Sequence, residues 1–429
     1  MREDYDVIII GAGITGLISA YELTKRGKSV AVFEKTDYIG GAIRPFKEDG
    51  MWLEGFYHHL FKGDSVIFEL AKELDAEITW HTSKIAFHYL PDDIYNFSSP
   101  ADLFRFRKLS MRERIKLGKF LAGVYWPVNA DRLASISAKD WIISKVGGLP
   151  YRVFFEPMLN AKFGEYLEEI GADWFLGRLK MRSSRTWRGE RLGYFKGGFG
   201  SFTERLREKI EESGGRVFLG SEVSNIITES GHAIGVSLNK GRKFYSRYVL
   251  STVPPEVLLK LADFTGEYRD KIRKLEYQGT ICVLLATRSK VTDYYWINMM
   301  NKTLRFSALI EHTNFQNPSQ YGRHIIYLAS YPGKDSALWN LSDNELLKEY
   351  LKSFKESFPR FSDDLVEWAK VFRSDAAGLV YRIGIRQNLP DIQTPIRNLF
   401  IGGMLNAYPK RSIDTCARIA ARCAEKMAL

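Results

Sequence analysis

Near its start the chain reads Asp6-Val7-Ile8-Ile9-Ile10-Gly11-Ala12-Gly13-Ile14-Thr15-Gly16. An apolar run that ends in Gly-x-Gly-x-x-Gly predicts a β-strand, a tight phosphate-binding turn and the first turn of a helix. Gly11 would allow the turn, Gly13 would leave the backbone open to a pyrophosphate, and Gly16 would let the helix pack on the strand. The helix N-terminus would present free N–H groups and a positive dipole end to the phosphates. This stretch therefore predicts a dinucleotide-binding turn.

The residues that follow complete a βαβ unit. Leu17 and Tyr21 continue the helical spacing of apolar residues, and Gly27 is placed to end the helix. A second strand is predicted over residues 29–34, and it ends at Glu34. Glu34 lies 18 residues beyond Gly16, close to the spacing of about 20 at which a carboxylate accepts hydrogen bonds from ribose hydroxyls. An acidic residue here would repel a 2′-phosphate, so NADP is disfavoured and the dinucleotide is FAD or NAD.

A second glycine-rich segment favours FAD. The residues from Glu34 to Arg44 read Glu34-Lys35-Thr-Asp-Tyr-Ile-Gly40-Gly41-Ala42-Ile-Arg44. This segment resembles the extended flavin motif of the superfamily of amine oxidases, phytoene desaturases and protoporphyrinogen oxidases, in which paired glycines let a second turn pass over the cofactor. Later segments are similar to the same superfamily in the same order: residues 197–206, 216–226, 248–254, 398–404 and 411–414. The resemblance thus spans the whole chain.

The resemblance implies which residues contact FAD. The backbone of Val223 would bind adenine, and the N–H of Ile413 would meet the pyrimidine end of the flavin. The residues predicted to bind the cofactor are Gly11, Ala12, Gly13, Ile14, Thr15, Gly16, Glu34, Lys35, Gly40, Gly41, Ala42, Arg44, Val223, Thr252, Gly402, Gly403 and Ile413. Residues 405–411 contain no cysteine positioned like the covalent attachment site of monoamine oxidases, so FAD is expected to bind non-covalently.

The predicted fold class is α/β, with a Rossmann-like FAD-binding domain interleaved with a mixed α+β substrate domain. The FAD-binding domain is predicted to comprise residues 1–75, 200–265 and 371–429, and the substrate domain residues 76–199 and 266–370. Residues 76–199 look helical, whereas 266–370 contain strand-like runs at 280–285 and 324–328 and a helical pattern from Asp343 to Phe358.

Candidate catalytic residues follow the flavin motif in the segment Phe56-Tyr57-His58-His59-Leu60-Phe61. The predicted catalytic residues are Tyr57, His58 and His59. The segment is similar to a His-x-Phe stretch of UDP-galactopyranose mutases, and a histidine here would hydrogen-bond the flavin or a substrate hydroxyl, or would simply be packed. Near Ile281, where amine oxidases carry a lysine, the sequence has none.

The positive charge is concentrated in two stretches. Residues 101–126 have a net charge of +5 and residues 178–196 a net charge of +6, against +11 for the whole chain. Both mix basic and bulky apolar residues, with Phe104, Phe106, Phe120, Tyr125, Trp126 and Trp187 as candidate anchors. Either these are solvated helices with one packed face, or they recruit an anionic or lipid-like substrate and associate peripherally with a membrane. No nucleic-acid module accompanies the charge.

These observations predict a cytoplasmic FAD-dependent oxidoreductase that acts on a small molecule by transferring a hydride from a C–H bond to flavin N5. No signal peptide, membrane span or cluster of metal-ligating residues is evident, so no metal is expected. Two alternatives remain: a mutase-like flavoenzyme that acts on a nucleotide- or lipid-linked sugar, and a non-enzymatic prenyl-binding escort protein of the same fold. The intact Gly16 and Glu34 argue against the escort protein.

Overall fold

The computed structural model describes residues 4–182, 185–186 and 189–428. The strands in chain order are β1 Asp4–Ile10, β2 Val30–Phe33, β3 Pro45–Glu48, β4 Met51–Glu54, β5 Leu60–Phe61, β6 Ile78–Ser83, β7 Ile85–His88, β8 Ile94–Asn96, β9 Arg185–Thr186, β10 Gly189–Phe195, β11 Arg216–Phe218, β12 Val223–Glu229, β13 His232–Leu238, β14 Lys243–Ser251, β15 Tyr277–Thr287, β16 Trp296–Met299, β17 Ala308–Glu311, β18 His324–Ser330, β19 Val366–Leu379 and β20 Leu399–Ile401.

The α-helices, of which α8 is preceded by a π-helical turn at Tyr151–Phe155, are α1 Ile14–Thr24, α2 Ser65–Glu73, α3 Asp102–Arg105, α4 Met111–Gly123, α5 Ala130–Leu133, α6 Ala138–Val146, α7 Gly148–Pro150, α8 Glu156–Phe163, α9 Ala172–Met181, α10 Gly198–Glu212, α11 Pro255–Leu261, α12 Gly266–Arg273, α13 Asp343–Ser357 and α14 Ile413–Ala428.

The first large sheet contains the predicted βαβ unit. Strands β11, β2, β1 and β14 lie side by side in parallel, β20 pairs with the end of β14, and β13 and β12 extend the sheet in antiparallel fashion. Residues 7–10 of β1 are fully buried, as expected for a parallel strand with both faces covered. Helix α1 packs against α10 and α14 on one of these faces. The predicted α/β class with a Rossmann-like domain is confirmed.

The second large sheet has the order β19-β15-β18-β17-β16-β7-β8, and all its pairs are antiparallel except β16 with β7. Strand β15 is buried along its whole length. Ile281, Val283 and Leu285 share a core with α13, whereas Cys282 and Leu284 belong to the core that also contains β1 and α1. Because side chains alternate across a strand, β15 joins the two large sheets into one structure.

The predicted secondary structure of the middle of the chain was partly wrong. The strands predicted at 280–285 and 324–328 and the helix that begins at Asp343 are confirmed. Residues 76–199, however, contain β6, β7, β8 and β10 besides helices. The division into two domains stays a prediction; the proposed boundaries after residues 199 and 370 fall inside α10 and β19.

Candidate functional site

At two positions of the first glycine-rich turn, the protein's own packing requires glycine. Gly11 has φ +101°, and a Cβ there would lie 2.6 Å from Oγ1 of Thr252. A Cβ on Gly16 would lie 2.0 Å from the carbonyl oxygen of Gly11. Both contacts are closer than non-bonded atoms allow, so these glycines let α1 and the end of β14 close onto the turn.

Gly13 is different because the residues that the structure describes leave the space beside it open. Its backbone (φ −71°, ψ 175°) is ordinary for any residue, and the nearest atom to an added Cβ is Cα of Gly41 at 3.9 Å. Gly13 immediately precedes α1, where the first N–H groups of a helix have no intrahelical partner. An open backbone at a helix N-terminus fits a bound pyrophosphate. The residues present therefore fit the dinucleotide that the sequence predicts.

Glu34 lies at the end of β2 and is held against this turn. Its Oε2 accepts a hydrogen bond from the N–H of Ala12 at 2.9 Å, and its Oε1 accepts from the N–H and hydroxyl of Thr36 at 3.0 and 2.9 Å. An ionised carboxylate has about four acceptor positions. Oε2 can therefore accept one further donor, such as a ribose hydroxyl. The adjoining Lys35 is exposed.

The second glycine pair lies on the first turn. The N–H of Gly40 donates to the carbonyl of Ala12 at 2.8 Å, and Gly41 approaches Gly13 closely. Arg44 follows with φ +49°, and its guanidinium carbon lies 5.4 Å from the ring centres of both Tyr38 and Phe372. Ala42, which lies between Gly41 and Arg44 in the sequence, is exposed. The structure thus brings together the two glycine-rich segments, which belong to consecutive parts of the chain.

Residues from the middle and end of the chain complete this region. The hydroxyl of Thr252 donates to the carbonyl of Ile10 at 2.9 Å. A Cβ on Gly403 would lie 3.7 Å from Oγ1 of Thr15, while one on Gly402 would lie 2.6 Å from Sγ of Cys423 in α14. The ends of β1, β14 and β20 therefore meet at one place.

Two further predicted residues lie beside this place. Ile413 is the first residue of α14, so its N–H belongs to a helix N-terminus, as the prediction requires. Val223 is buried at the start of β12, two residues after Ser221, whose N–H donates to the carbonyl of Glu34 at 2.7 Å. Their contacts with FAD stay predictions.

The candidate catalytic segment follows β4. Nδ1 of His58 lies 2.7 Å from the carbonyl oxygen of Phe56. Because a carbonyl can only accept, Nδ1 carries the proton and Nε2 keeps a free lone pair. Burial lowers the pKa of His58 to about 4 and the pKa of His59 well below its usual value, so both rings are neutral at pH 7. Nδ1 of His59 lies 3.0 Å from the hydroxyl of Tyr295.

Tyr57 joins this segment to the second sheet. Its hydroxyl lies 2.9 Å from the hydroxyl of Tyr331, which follows β18, and its ring packs edge-on against Trp296 at 4.9 Å between ring centres. Burial raises the pKa of Tyr57 well above its usual value, so the hydroxyl keeps its proton. Part of the surface of Tyr57, His58 and His59 is nevertheless accessible. The three side chains therefore line an interior space.

Sequence reasoning missed three basic residues that face the same space: Lys162 of α8, Arg178 of α9 and Arg411. Nζ of Lys162 lies 5.6 Å from the ring centre of Tyr331. The charge of Arg411 contributes to the pKa shifts of Tyr57 and His58. The available signal was a single basic residue flanked by apolar neighbours within a helical segment, at Lys162 and Arg178. Arg178 belongs to the basic stretch 178–196, and nothing in that stretch predicts from sequence that this residue faces the interior.

The first basic stretch, in contrast, lies on the surface. Leu117 is the one buried side chain of α4. We use the name basic-aromatic patch for its exposed residues: Phe104, Arg105, Arg107, Met111, Arg112, Ile115, Lys116, Lys119, Tyr125 and Trp126. Trp126 is 74% exposed, but Phe106 is fully buried and Phe120 packs on Trp141, so neither is a surface anchor. Trp187 lies outside the described residues.

The described residues lack the features of two other classes of function. They contain no group of three or more His, Cys, Asp or Glu side chains arranged to hold a metal ion. None of the helices that they form has the length and apolar character needed to cross a bilayer.

Comparison with known proteins gives a family match over nearly the whole chain. The model for flavin containing amine oxidoreductases matches residues 14–428. The chain is 26% identical to 15-cis-phytoene desaturase of Synechococcus elongatus, over 92% of this chain and 90% of that protein.

Two solved structures with the same fold illustrate its range. A crystal structure of an oxidoreductase from Methanosarcina mazei superposes with a TM-score of 0.76 at 20% identity, covering 98% of this chain and 99% of that one. Reduced UDP-galactopyranose mutase superposes with a TM-score of 0.76 at 17% identity, covering 98% and 93%.

Proposed function

Because the chain belongs to the family of flavin-containing amine oxidoreductases, we propose that it binds FAD non-covalently and transfers a hydride from a substrate C–H bond to the flavin. The observation that supports FAD is the open backbone at Gly13, flanked by Glu34 and by the N-terminus of α1. FMN would leave this part of the site without a ligand, since it has no ADP half.

When bound, the flavin supplies the hydride acceptor, its N5 atom, and the protein supplies position and electrostatics. The N-terminus of α14 at Ile413 favours negative charge that collects at the pyrimidine end of the ring system. His58 offers a neutral Nε2 acceptor to a flavin N–H or a substrate hydroxyl. Tyr57 and His59, packed among aromatic side chains, orient the substrate and keep water out.

The cofactor assignment is tested on the purified protein. We expect a yellow protein that releases FAD rather than FMN on denaturation. Glu34→Ala removes an acceptor for a ribose hydroxyl and should weaken FAD binding by about 1–3 kcal/mol, measured by flavin fluorescence. Asp37→Ala, an exposed acidic residue of the same loop, is the matched control and should bind as the wild type does. A colourless protein that takes up no added FAD would contradict the proposal.

The reaction type is tested under anaerobic conditions. An oxidoreductase should bleach its flavin in proportion to added substrate, without any added reductant. The second candidate is a mutase acting on a nucleotide- or lipid-linked sugar, which the His58-His59 segment favours through its similarity to UDP-galactopyranose mutases. Turnover that requires reduced flavin and leaves it reduced would replace the first candidate by the second.

The basic-aromatic patch supports a further part of the proposal. Exposed cations beside Phe104, Ile115 and Trp126 suit the interface of an anionic bilayer, where apolar side chains insert and cations pair with headgroups. We therefore place the enzyme peripherally at a membrane surface, where it would meet an anionic or lipid-like substrate.

A further inference from the structure

Three basic side chains from separate segments converge on the interior space beside the candidate catalytic segment. Lys162 reaches it from α8, where its Nζ lies 5.4 to 5.6 Å from the ring centres of Phe163, Trp174 and Tyr331. The hydroxyl of Tyr331 in turn lies 2.9 Å from that of Tyr57. Lys162 is therefore separated from the catalytic segment by the ring of Tyr331.

Arg178 and Arg411 come from helix α9 and from the segment before α14. These two segments are packed together, since a Cβ on Gly177 would lie 3.1 Å from Pro409. Nη1 of Arg411 donates to the carbonyl of Ala377 at 2.6 Å, which fixes the guanidinium close to the end of β19. The positions of both arginines are thus set by tight backbone packing.

The three basic side chains have no anionic partner in the part of the chain that the structure describes. Among the described residues, no carboxylate oxygen lies within 4.0 Å of a side-chain nitrogen of Lys162, Arg178 or Arg411. The neighbouring Arg182, which is only 20% exposed, has Glu190 as its partner at 3.4 Å. Buried charges are ordinarily paired because removing them from water is costly.

The lack of an anionic partner affects the pKa values of the cluster. Burial and the charges of Arg411, Arg178 and Arg182 hold the pKa of Lys162 well below its usual range. Burial and the charges of Arg182 and Arg411 lower the pKa of Arg178 to about 10. An anion placed among these groups would relieve the repulsion and would accept hydrogen bonds from the guanidinium N–H groups.

We propose that Lys162, Arg178 and Arg411 form a subsite that binds an oxyanion of the substrate, a carboxylate or a phosphate, beside Tyr57 and His58. This inference rests on the proposed function, because it names the substrate class of the same site. Its corollary is that ammonium substrates are repelled from the space that the cluster lines. The reacting C–H bond belongs to an anionic molecule, whose charged group is held on the side of α8 and α9.

The test is calorimetric titration of the FAD-loaded protein with pyrophosphate, citrate and, as a cation of similar size, putrescine. We expect one site for an anion, a preference between pyrophosphate and citrate that reveals phosphate or carboxylate, and no binding of putrescine. Arg178→Gln should weaken anion binding at least tenfold. Arg360→Gln, an exposed arginine far along the chain, is the matched control and should bind as the wild type does.

A second variant, Lys162→Met, should also weaken anion binding, so the test does not depend on the folding of one arginine variant. Its control is Lys352→Met, at an exposed lysine. Flavin absorbance confirms that each variant retains its cofactor. Anion binding that survives both interior substitutions, or binding of putrescine but of neither anion, would overturn the subsite. Failure of the proposed function gives a different result, namely intact anion binding by a protein whose flavin no substrate reduces.

Discussion

Gly13 and Gly16 belong to one turn but are glycine for different physical reasons. At Gly16 an added Cβ collides with the backbone of Gly11 at 2.0 Å, whereas at Gly13 it meets only Cα of Gly41 at 3.9 Å. Gly13→Ala should therefore leave the free energy of unfolding of the FAD-free protein nearly unchanged while abolishing FAD binding. Gly16→Ala should lower the free energy of unfolding itself, since the clash is with backbone atoms.

The two variants can be compared by urea denaturation without FAD and by flavin fluorescence titration with it. The comparison distinguishes two explanations for glycine in this turn: binding of a pyrophosphate and packing of the protein itself. If Gly13→Ala bound FAD as tightly as the wild type, the space beside Gly13 would not be the phosphate site.

Glu54 gives the protein a predictable pH dependence. It is 1% exposed, its oxygens accept hydrogen bonds from the N–H of Phe199 and the hydroxyl of Tyr194, and burial raises its pKa from 4.5 to about 7. The folded protein therefore keeps a proton that the unfolded chain loses. The free energy of unfolding must fall as the pH rises from about 4.5 to about 7, by about 2–3 kcal/mol for this group.

Glu54→Gln should remove this contribution, because an amide can still accept from Phe199 and does not ionise. Urea denaturation from pH 4.5 to 8 checks the expectation: the variant should lose less stability than the wild type over this range. Glu311 is also buried with its pKa raised to about 7, so a smaller decline should remain. Parallel curves for the two proteins would show that Glu54 ionises normally.

At the scale of elements, the basic-aromatic patch predicts a membrane interaction. Helix α4 begins at a Ser110–Glu113 capping box and packs Phe120 on Trp141, but Leu117 is its one buried residue, so most of its surface faces outward. Sedimentation with anionic liposomes should pellet the protein at low salt and much less at 1 M salt, where the Debye length is about 3 Å. A charge-reversal variant that combines Arg105→Glu, Arg107→Glu and Arg112→Glu should abolish pelleting.

Neutral liposomes serve as the second control for this experiment. A Trp126→Ser variant should weaken binding at both salt concentrations, because it removes an apolar anchor and no charge. Equal and negligible pelleting in every condition would leave α4 as a solvated helix of the surface.

The elements that could be predicted from sequence are those specified by local spacing. Strand β1, helix α1 and strand β2 follow one another within the first 33 residues, and glycines mark their ends. Strands β6 and β10 were missed, because residues 78–83 pair with residues 190–195 and neither segment shows its partner locally. The same reason applies to β7, which pairs with β16.

The residues of the candidate site also fall into those that local spacing predicts and those that depend on distant packing. Gly11, Gly13 and Glu34 are determined by a motif with fixed spacing, and the structure brings them together as that spacing requires. Lys162 and Arg178 lie in helices whose orientation depends on packing against distant segments, such as that of Gly177 on Pro409. Their inward direction could not be read from a helical period alone, because basic residues ordinarily occupy the solvated face.

At the scale of the whole molecule, the proposed FAD site joins the beginning, the middle and the end of the chain. A Cβ on Gly403 would lie 3.6 Å from the carbonyl oxygen of Thr252 and 3.7 Å from Oγ1 of Thr15, although the three residues are far apart in the sequence. A ligand bound there should stabilise the folded state as a unit. FAD at 100 times its Kd should add about 2.7 kcal/mol to the free energy of unfolding.

Hydrogen exchange followed by mass spectrometry can localise this effect. FAD should slow amide exchange in residues 10–16, 34–44 and 402–416 together, because the first turn, the paired glycines and the N-terminus of α14 would contact one ligand. Helix α13 packs on the opposite face of the second sheet and should exchange at an unchanged rate. ADP should protect the first two segments but not the third, since it lacks the flavin. Protection by ADP of all three segments would mean that the end of the chain responds to closure of the phosphate turn and not to the flavin ring.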